Sequence, residues 1–170
     1  MKIAELLTKD IMNLSLASTE KDAVIDELIE SLDKAGKLND KKAFKQAILA
    51  REEQSTTGIG DGIAIPHAKT SAVKEPAVAF GRTKTGADFD SLDGKPAHLF
   101  FMIAAPEGAN NTHLEVLSRL SSILIKEEVR EKLMTAETKD DILAIFDQYD
   151  KENEEQAAET AGEKKFIVAV

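Results

Sequence analysis

An α/β (α+β) fold, a single domain with a mixed sheet of about five strands flanked by helices on both faces, is what this sequence predicts. Three observations point there. Apolar residues recur at helical spacing before residue 55 and again after residue 112, whereas between these regions they gather into short runs bounded by Gly, Pro and Asp-Gly. The chain has 170 residues, 42% of them hydrophobic and 31% charged, enough to bury one core.

The elements follow in order. Lys2 to Leu16 reads as a short turn (Ile3, Leu6, Leu7) and then a weak strand, because residues 11 to 16 alternate only at their end. From Thr19, the residues Val24, Leu28 and Leu32 recur every fourth position beside Ile25 and Ile29, and Gly36 closes the stripe. This is the first long helix. Asn39 or Asp40 caps a second, carrying Phe44, Ala47 and Ile48, with Arg51 near its end. Ala77 to Gly81 and Ala97 to Ala105 read as strands, the latter fully buried, separated by a segment holding the turn dipeptide Asp93-Gly94. Thr112 is placed to cap a helix with a broad apolar face of Leu114, Val116, Leu117, Leu120, Ile123 and Leu124. Further helical segments run from Glu127 to Met134 and from Thr138 to Tyr149.

The organisation predicted is a domain over 1–149, an acidic interdomain linker over 150–164, and at 165–170 the first strand of a following domain. Between Asp150 and Glu163 stand six acids against Lys151 alone, more than half of the formal charge of -9. The alternative for Phe166 to Val170 is a terminal strand pairing with this domain.

Charge and composition exclude several classes. Net acidity argues against nucleic acid as a partner, since phosphate backbones require clustered Lys and Arg. There is no cysteine, hence no disulfide or thiolate chemistry. The apolar runs are too short to span a bilayer, and an acid at position 5 spoils a signal peptide, so a cytoplasmic location is expected.

The chemistry concentrates at Gly58-Ile-Gly-Asp-Gly-Ile-Ala-Ile-Pro-His67-Ala-Lys69. A neutral imidazole exposes a lone pair near physiological pH and can take a phosphoryl or acyl group transiently, which makes His67 the candidate nucleophile. Pro66 fixes the backbone before it, and the glycines let main-chain N–H groups approach an anion. No Gly-Lys-Ser/Thr follows, so this is not a nucleotide loop of that kind, nor does it have the helix and distal acid of a dinucleotide fingerprint. His113 stands at a predicted helix start, where an anion is favoured, while His98 enters the buried strand and reads as packed or strand-edge. The three histidines lack metal-ligand spacing, with only Asp61 and Glu115 as nearby carboxylates, and no Gly-x-Ser-x-Gly elbow exists. No metal or cofactor is expected.

Together with Asn110-Asn-Thr-His113-Leu-Glu-Val-Leu-Ser-Arg-Leu120, the His67 segment resembles the enzyme IIA family of fructose and mannitol type, from the bacterial phosphoenolpyruvate-dependent sugar phosphotransferase system. The likeness runs in order from Ile3 to about Tyr149, through Arg51-Glu-Glu and Ala104-Ala105-Pro106. It implies that His67 accepts a phosphoryl group from the histidine phosphocarrier protein HPr and passes it to a IIB domain, and that a membrane IIC domain moves the sugar. It also implies that His113 and Arg51 line the site. Arg51 would then neutralise phosphoryl oxygens, His113 would donate to one, and amides from Thr57 through Gly58 and Ile59 to Gly60 to others. Because one face must meet donor and acceptor in turn, Ile59, Ile63 and Ala68 are expected to form an exposed apolar surface around it. The tail resembles the opening of a fructose-type IIB domain, which points to fructose. Two alternatives stand: a regulatory IIA of the nitrogen-related branch, and an anion- or metal-binding module without transfer activity.

Overall fold

The computed structural model describes residues 2–108 and 111–152. Its sheet has six strands: β1 (Met12–Asn13), β2 (Gly58–Gly60), β3 (Ile63–Ala64), β4 (His67–Lys69), β5 (Ala77–Ala87) and β6 (Ala97–Ala105). They run in the order β1-β5-β6-β3-β2, with β4 also on β6. The centre is the antiparallel pair β5 and β6, whereas β1 on β5, and β3 and β4 on β6, are parallel. The sheet is mixed, as the patterning predicts.

The apolar run of β6 separates by parity, because successive side chains of a strand point to opposite faces. Phe100, Met102 and Ala104 pack with the buried stripes of α2 (Lys21–Lys34) and α3 (Lys41–Gln54). Leu99, Phe101 and Ile103 instead meet α1 (Ile3–Leu6), α4 (Thr112–Leu124), α5 (Glu127–Thr135) and α6, the helix over 139–152. Phe101 touches both Phe80 (5.2 Å between centroids) and Phe146 (5.8 Å), while Phe100 meets Phe89 on the other face (5.4 Å). Helices therefore cover both faces.

Helix ends follow from local chemistry. The α2 stripe stops where Gly36 turns to φ 74, so that its N–H reaches the Asp33 carbonyl and the Lys37 N–H that of Leu32. Asp40, of the two predicted caps, accepts from the Ala43 N–H at 3.0 Å. At α4 the expectation needs correcting: Thr112 is the first helical residue, and Asn111 holds the cap position without a side-chain cap bond. Thr138 and Asp141 cap α6 reciprocally, Oγ1 accepting from the Asp141 N–H and Oδ2 from that of Thr138.

The last helix runs on past residue 149. Asp150 is buried within α6, and its carboxylate accepts the N–H groups of Ile3 and Ala4, each at 3.0 Å, at the start of α1. An acid assigned to the linker thus caps the first helix. The rest of that linker from 153 and the predicted strand at 165–170 lie outside the described residues.

Candidate phosphoryl-transfer site

The strand path beside β6 is built in two pieces, β3 and β4. Ile63 and Ala64 pair with Leu99 and Phe100, then Pro66 interrupts, and His67 resumes the ladder opposite Ile103. Pro66 has no N–H to give, but its carbonyl accepts that of Ile103 at 2.9 Å, so the strand re-forms one residue later. Ala68 packs into the α2 and α3 side, which turns His67 and Lys69 toward α4. Proline before the histidine therefore marks a strand break with the ring on its rim.

The ring is half-buried and fixed. Its Nδ1–H donates to the carbonyl of Ile65 at 2.9 Å, which leaves the lone pair on Nε2. Burial lowers its pKa below 6.5, the Ile65 bond opposes this, Arg51 adds to the lowering and Glu52 offsets it. The imidazole is consequently neutral at physiological pH, the state that a nucleophile requires.

Arg51 and His113 come to this ring from different helices. Arg51 lies in the last turn of α3, its Nη1 donating to the Ser55 carbonyl at 2.8 Å, and its charge acts on His67. His113 lies in the first turn of α4. Its pKa is depressed by burial, then by His67 and Lys69, and its buried Nδ1 has no hydrogen-bond partner.

The glycine loop is placed differently from the expectation. The Thr57 N–H donates to Glu52 Oε2 (3.1 Å) and that of Gly58 to Thr56 Oγ1 (3.1 Å), so both amides are already committed. A Cβ on Gly58 would stand 2.7 Å from Ser91 Oγ, 3.0 Å from Ser91 Cα and 3.2 Å from the Phe89 carbonyl. Gly58 is there to let the 89–91 segment pack. Gly60 has φ 101, a conformation that glycine tolerates, and leads into the turn at Asp61 and Gly62.

Of the three apolar residues expected on the surface, Ile63 and Ala68 are buried, Ile63 among the side chains on the α4 and α5 face and Ala68 among those on the α2 and α3 face. Ile59 remains, 45% exposed, and is joined by Leu92 (71%) and Leu114 (50%). Leu92 is tied to the loop by its N–H on the Gly58 carbonyl (2.9 Å), and Leu114 follows His113 on α4. Sequence reasoning assigned Leu114 to the buried face and passed over Leu92. An isolated leucine next to Asp93-Gly94 gave no periodic signal.

His98 donates from Nδ1 to the Thr83 carbonyl at 2.9 Å, a packed strand-edge histidine as expected. Among the described residues no cluster of three or more His, Cys, Asp or Glu could hold a metal, and no helix is long and apolar enough to cross a membrane. Three cavities, of about 280 Å³ between α4 and α6, about 410 Å³ beside His98 and α5 and about 430 Å³ along α4 at Leu114 and Arg119, include neither His67, Arg51 nor His113. The site is thus a surface feature with fixed charge, suited to a group presented by another macromolecule.

A strand-edge histidine whose Nδ1 is committed to a carbonyl keeps Nε2 as its basic nitrogen, and comparison assigns the family of the domain that carries it. The chain belongs to the family described as phosphoenolpyruvate-dependent sugar phosphotransferase system, EIIA 2, which matches residues 5–149. It is an EIIA component, a phosphotransferase that carries a phosphoryl group. Over 151 residues, 89% of the chain, it is 64% identical to the fructose-specific EIIABC component of Bacillus subtilis, of which it spans about a quarter, 24%. It is 44% identical to the fructose-specific EIIA component of Haloferax volcanii, covering 85% of this chain and 94% of that one. Among solved structures, the nitrogen regulatory protein IIA-Ntr of Neisseria meningitidis superposes with TM-score 0.78 at 35% identity (85% and 98% of the two chains). The enzyme IIA mannitol in its complex with phosphorylated IIB mannitol from Escherichia coli gives 0.73 at 26% (84% and 99%).

Proposed function

We propose that His67 takes a phosphoryl group on Nε2 from HPr and delivers it to a IIB domain for the uptake of fructose, on the cytoplasmic side of a membrane IIC domain. The observation that carries this reading is the bond from His67 Nδ1–H to Ile65, which commits one ring nitrogen and leaves the other as the nucleophile. In the first step the Nε2 lone pair attacks phosphorus, the N–P bond of the donor's phosphohistidine breaks, and its electron pair returns to the donor ring. In the second, a nucleophile of IIB attacks the same phosphorus and the pair returns to His67. His67 keeps its Nδ1 proton throughout, so neither step demands a general base.

Transfer of this kind rests on positioning and on charge stabilisation. Arg51 supplies positive charge to the equatorial oxygens, and His113, in the first turn of α4, supplies a second ring to donate to one of them. The amides of Ile59 and Gly60, the other two expected donors, belong to β2, which pairs with β3. Ile59, Leu92 and Leu114 form the apolar ground on which donor and acceptor dock in turn. The choice of IIB is supported by the mannitol complex, and that of fructose by the relatives at 64% and 44% identity, which weigh against the nitrogen-regulatory reading.

The test is incubation with phosphoenolpyruvate, enzyme I and HPr, followed by mass spectrometry for an acid-labile gain of one phosphate. Wild type is expected to gain it and folded His67→Ala to gain none. Label on both proteins, or on neither, refutes the assignment.

A further inference from the structure

We infer that Glu52 is the positioning residue of this site, its buried carboxylate holding Thr57 and, through Thr57 and Ile65, fixing the tautomer and orientation of the His67 ring. The inference rests on His67 being the phosphoryl acceptor.

Glu52 stands where a carboxylate is unfavourable on two counts. It occupies the last turn of α3, at the negative end of the helix dipole, and its side chain is only 5% exposed. Three donors offset this: Lys21 Nζ at 2.9 Å, the Thr57 N–H at 3.1 Å and the Thr57 hydroxyl. Lys21 comes from the start of α2, where its ammonium also lies over the Phe89 ring at 4.9 Å and 3.8 Å from Asp90. One carboxylate therefore joins α2, α3 and the loop into β2.

From Glu52 a sequence of bonds leads to the nucleophile. Thr57, held by Glu52, accepts the Ile65 N–H on its carbonyl at 3.0 Å, and Ile65 accepts His67 Nδ1–H at 2.9 Å. Each bond passes to the next segment of chain: helix end, loop, strand break, ring. Thr57 is itself buried, and Arg51 grips the same loop one step away through Ser55. If Thr57 shifts, the Ile65 carbonyl loses its fixed direction, and with it the reason for the proton to stay on Nδ1. Glu52 also supplies the negative charge facing the ring, against Arg51 on the same helix, His113 on α4 and Lys69 nearby on β4. It supports the ring's proton affinity where burial and Arg51 reduce it.

The experiment uses the full chain with ¹⁵N-labelled histidine, and compares wild type with Glu52→Ala and Glu52→Gln. Nitrogen chemical shifts of His67 give its tautomer and its titration, and phosphorylation by phospho-HPr gives kcat and KM. Wild type is expected as the Nδ1–H tautomer. Glu52→Ala is expected to populate the Nε2–H tautomer, to titrate at lower pH, and to lose about 10- to 100-fold in kcat with KM within about twofold, the signature of a misaligned group behind an intact docking face. Glu52→Gln keeps an acceptor for the Thr57 N–H, so it should retain the tautomer while its titration moves down. A folded Glu52→Ala with wild-type tautomer, titration and kcat overturns the inference and leaves Glu52 a structural anchor. Should that variant fail to fold, Glu52→Asp decides, because it keeps the charge and draws the carboxylate back from Thr57: a populated Nε2–H tautomer with lowered kcat supports the inference, and wild-type tautomer and kcat overturn it. The nitrogen shifts need no phosphoryl transfer. An unlabelled wild type whose His67 still responds to Glu52 would sink the carrier reading alone.

Discussion

Gly58→Ala separates two reasons for a glycine at the start of the loop. One is close approach to an anion, the other is packing, and the structure favours packing. The backbone of Gly58 is outside the left-handed region, so a methyl group meets no conformational strain there. It would, however, stand 2.7 Å from Ser91 Oγ, 3.0 Å from Ser91 Cα and 3.2 Å from the Phe89 carbonyl. The hydroxyl can rotate away, but the two backbone contacts cannot be relieved without moving residues 89 to 91. Overpacking of this kind costs about 1–3 kcal/mol. For a domain of this size each kcal/mol lowers Tm by roughly 2–4 °C, so a loss of about 2–12 °C is expected in thermal denaturation followed by circular dichroism. Adding Ser91→Gly removes the shortest contact and should restore part of the loss, a coupling that only neighbours show. A Gly58→Ala protein melting with wild type yet no longer phosphorylated would refute the packing argument and return this glycine to the anion.

Three further outcomes are expected. Asp150→Ala removes the acceptor of two N–H groups at the start of α1 and should cost about 2–3 kcal/mol in urea unfolding, with Asp150→Asn closer to wild type; a change under about 0.5 kcal/mol would contradict the cap. His67 has its pKa lowered in the fold, so the unfolded chain binds the proton more readily: stability from this group is complete above about pH 6.5 and is lost as pH falls through that value toward the folded pKa. The wild type should therefore lose more of its urea midpoint than His67→Gln between pH 8 and pH 5, and equal losses would exclude a buried neutral ring. Ile59→Glu, Leu92→Glu and Leu114→Glu should each raise KM for phospho-HPr about tenfold with Tm unchanged, whereas wild-type KM in all three would misplace the docking face.

Sequence alone was most informative where one local signal decides. The α2 stripe from Val24 to Leu32 ends at Gly36 because apolar period and turn chemistry agree, and β6 is buried at every position but His98, the one polar residue in its run. The motif around His67 likewise carried its chemistry on its face. What was not legible depends on partners distant in the chain. Asp150 reads as one acid of a solvated run until Ile3 is known to lie against it, 147 residues away. Ile63 and Ala68 sit in a segment broken by Pro66, and their burial follows only from the helices that cover the sheet's two faces. Glu52 is another surface-like acid of a polar helix end until Lys21 and Thr57 converge on it.

The bonds from Asp150 to Ile3 and Ala4 also bring the first and last described helices together at one point of the surface. A domain whose entry and exit coincide can be joined to a neighbour at either end, or set into a loop of another protein, without its sheet being pulled open. It can equally be closed into a ring: a short peptide linking the residues beside Ile3 and Asp150, with the chain cut at an exposed turn, would yield a circular permutant with the same fold. The same proximity lets such a module stand nearly alone in one protein and make up a quarter of another.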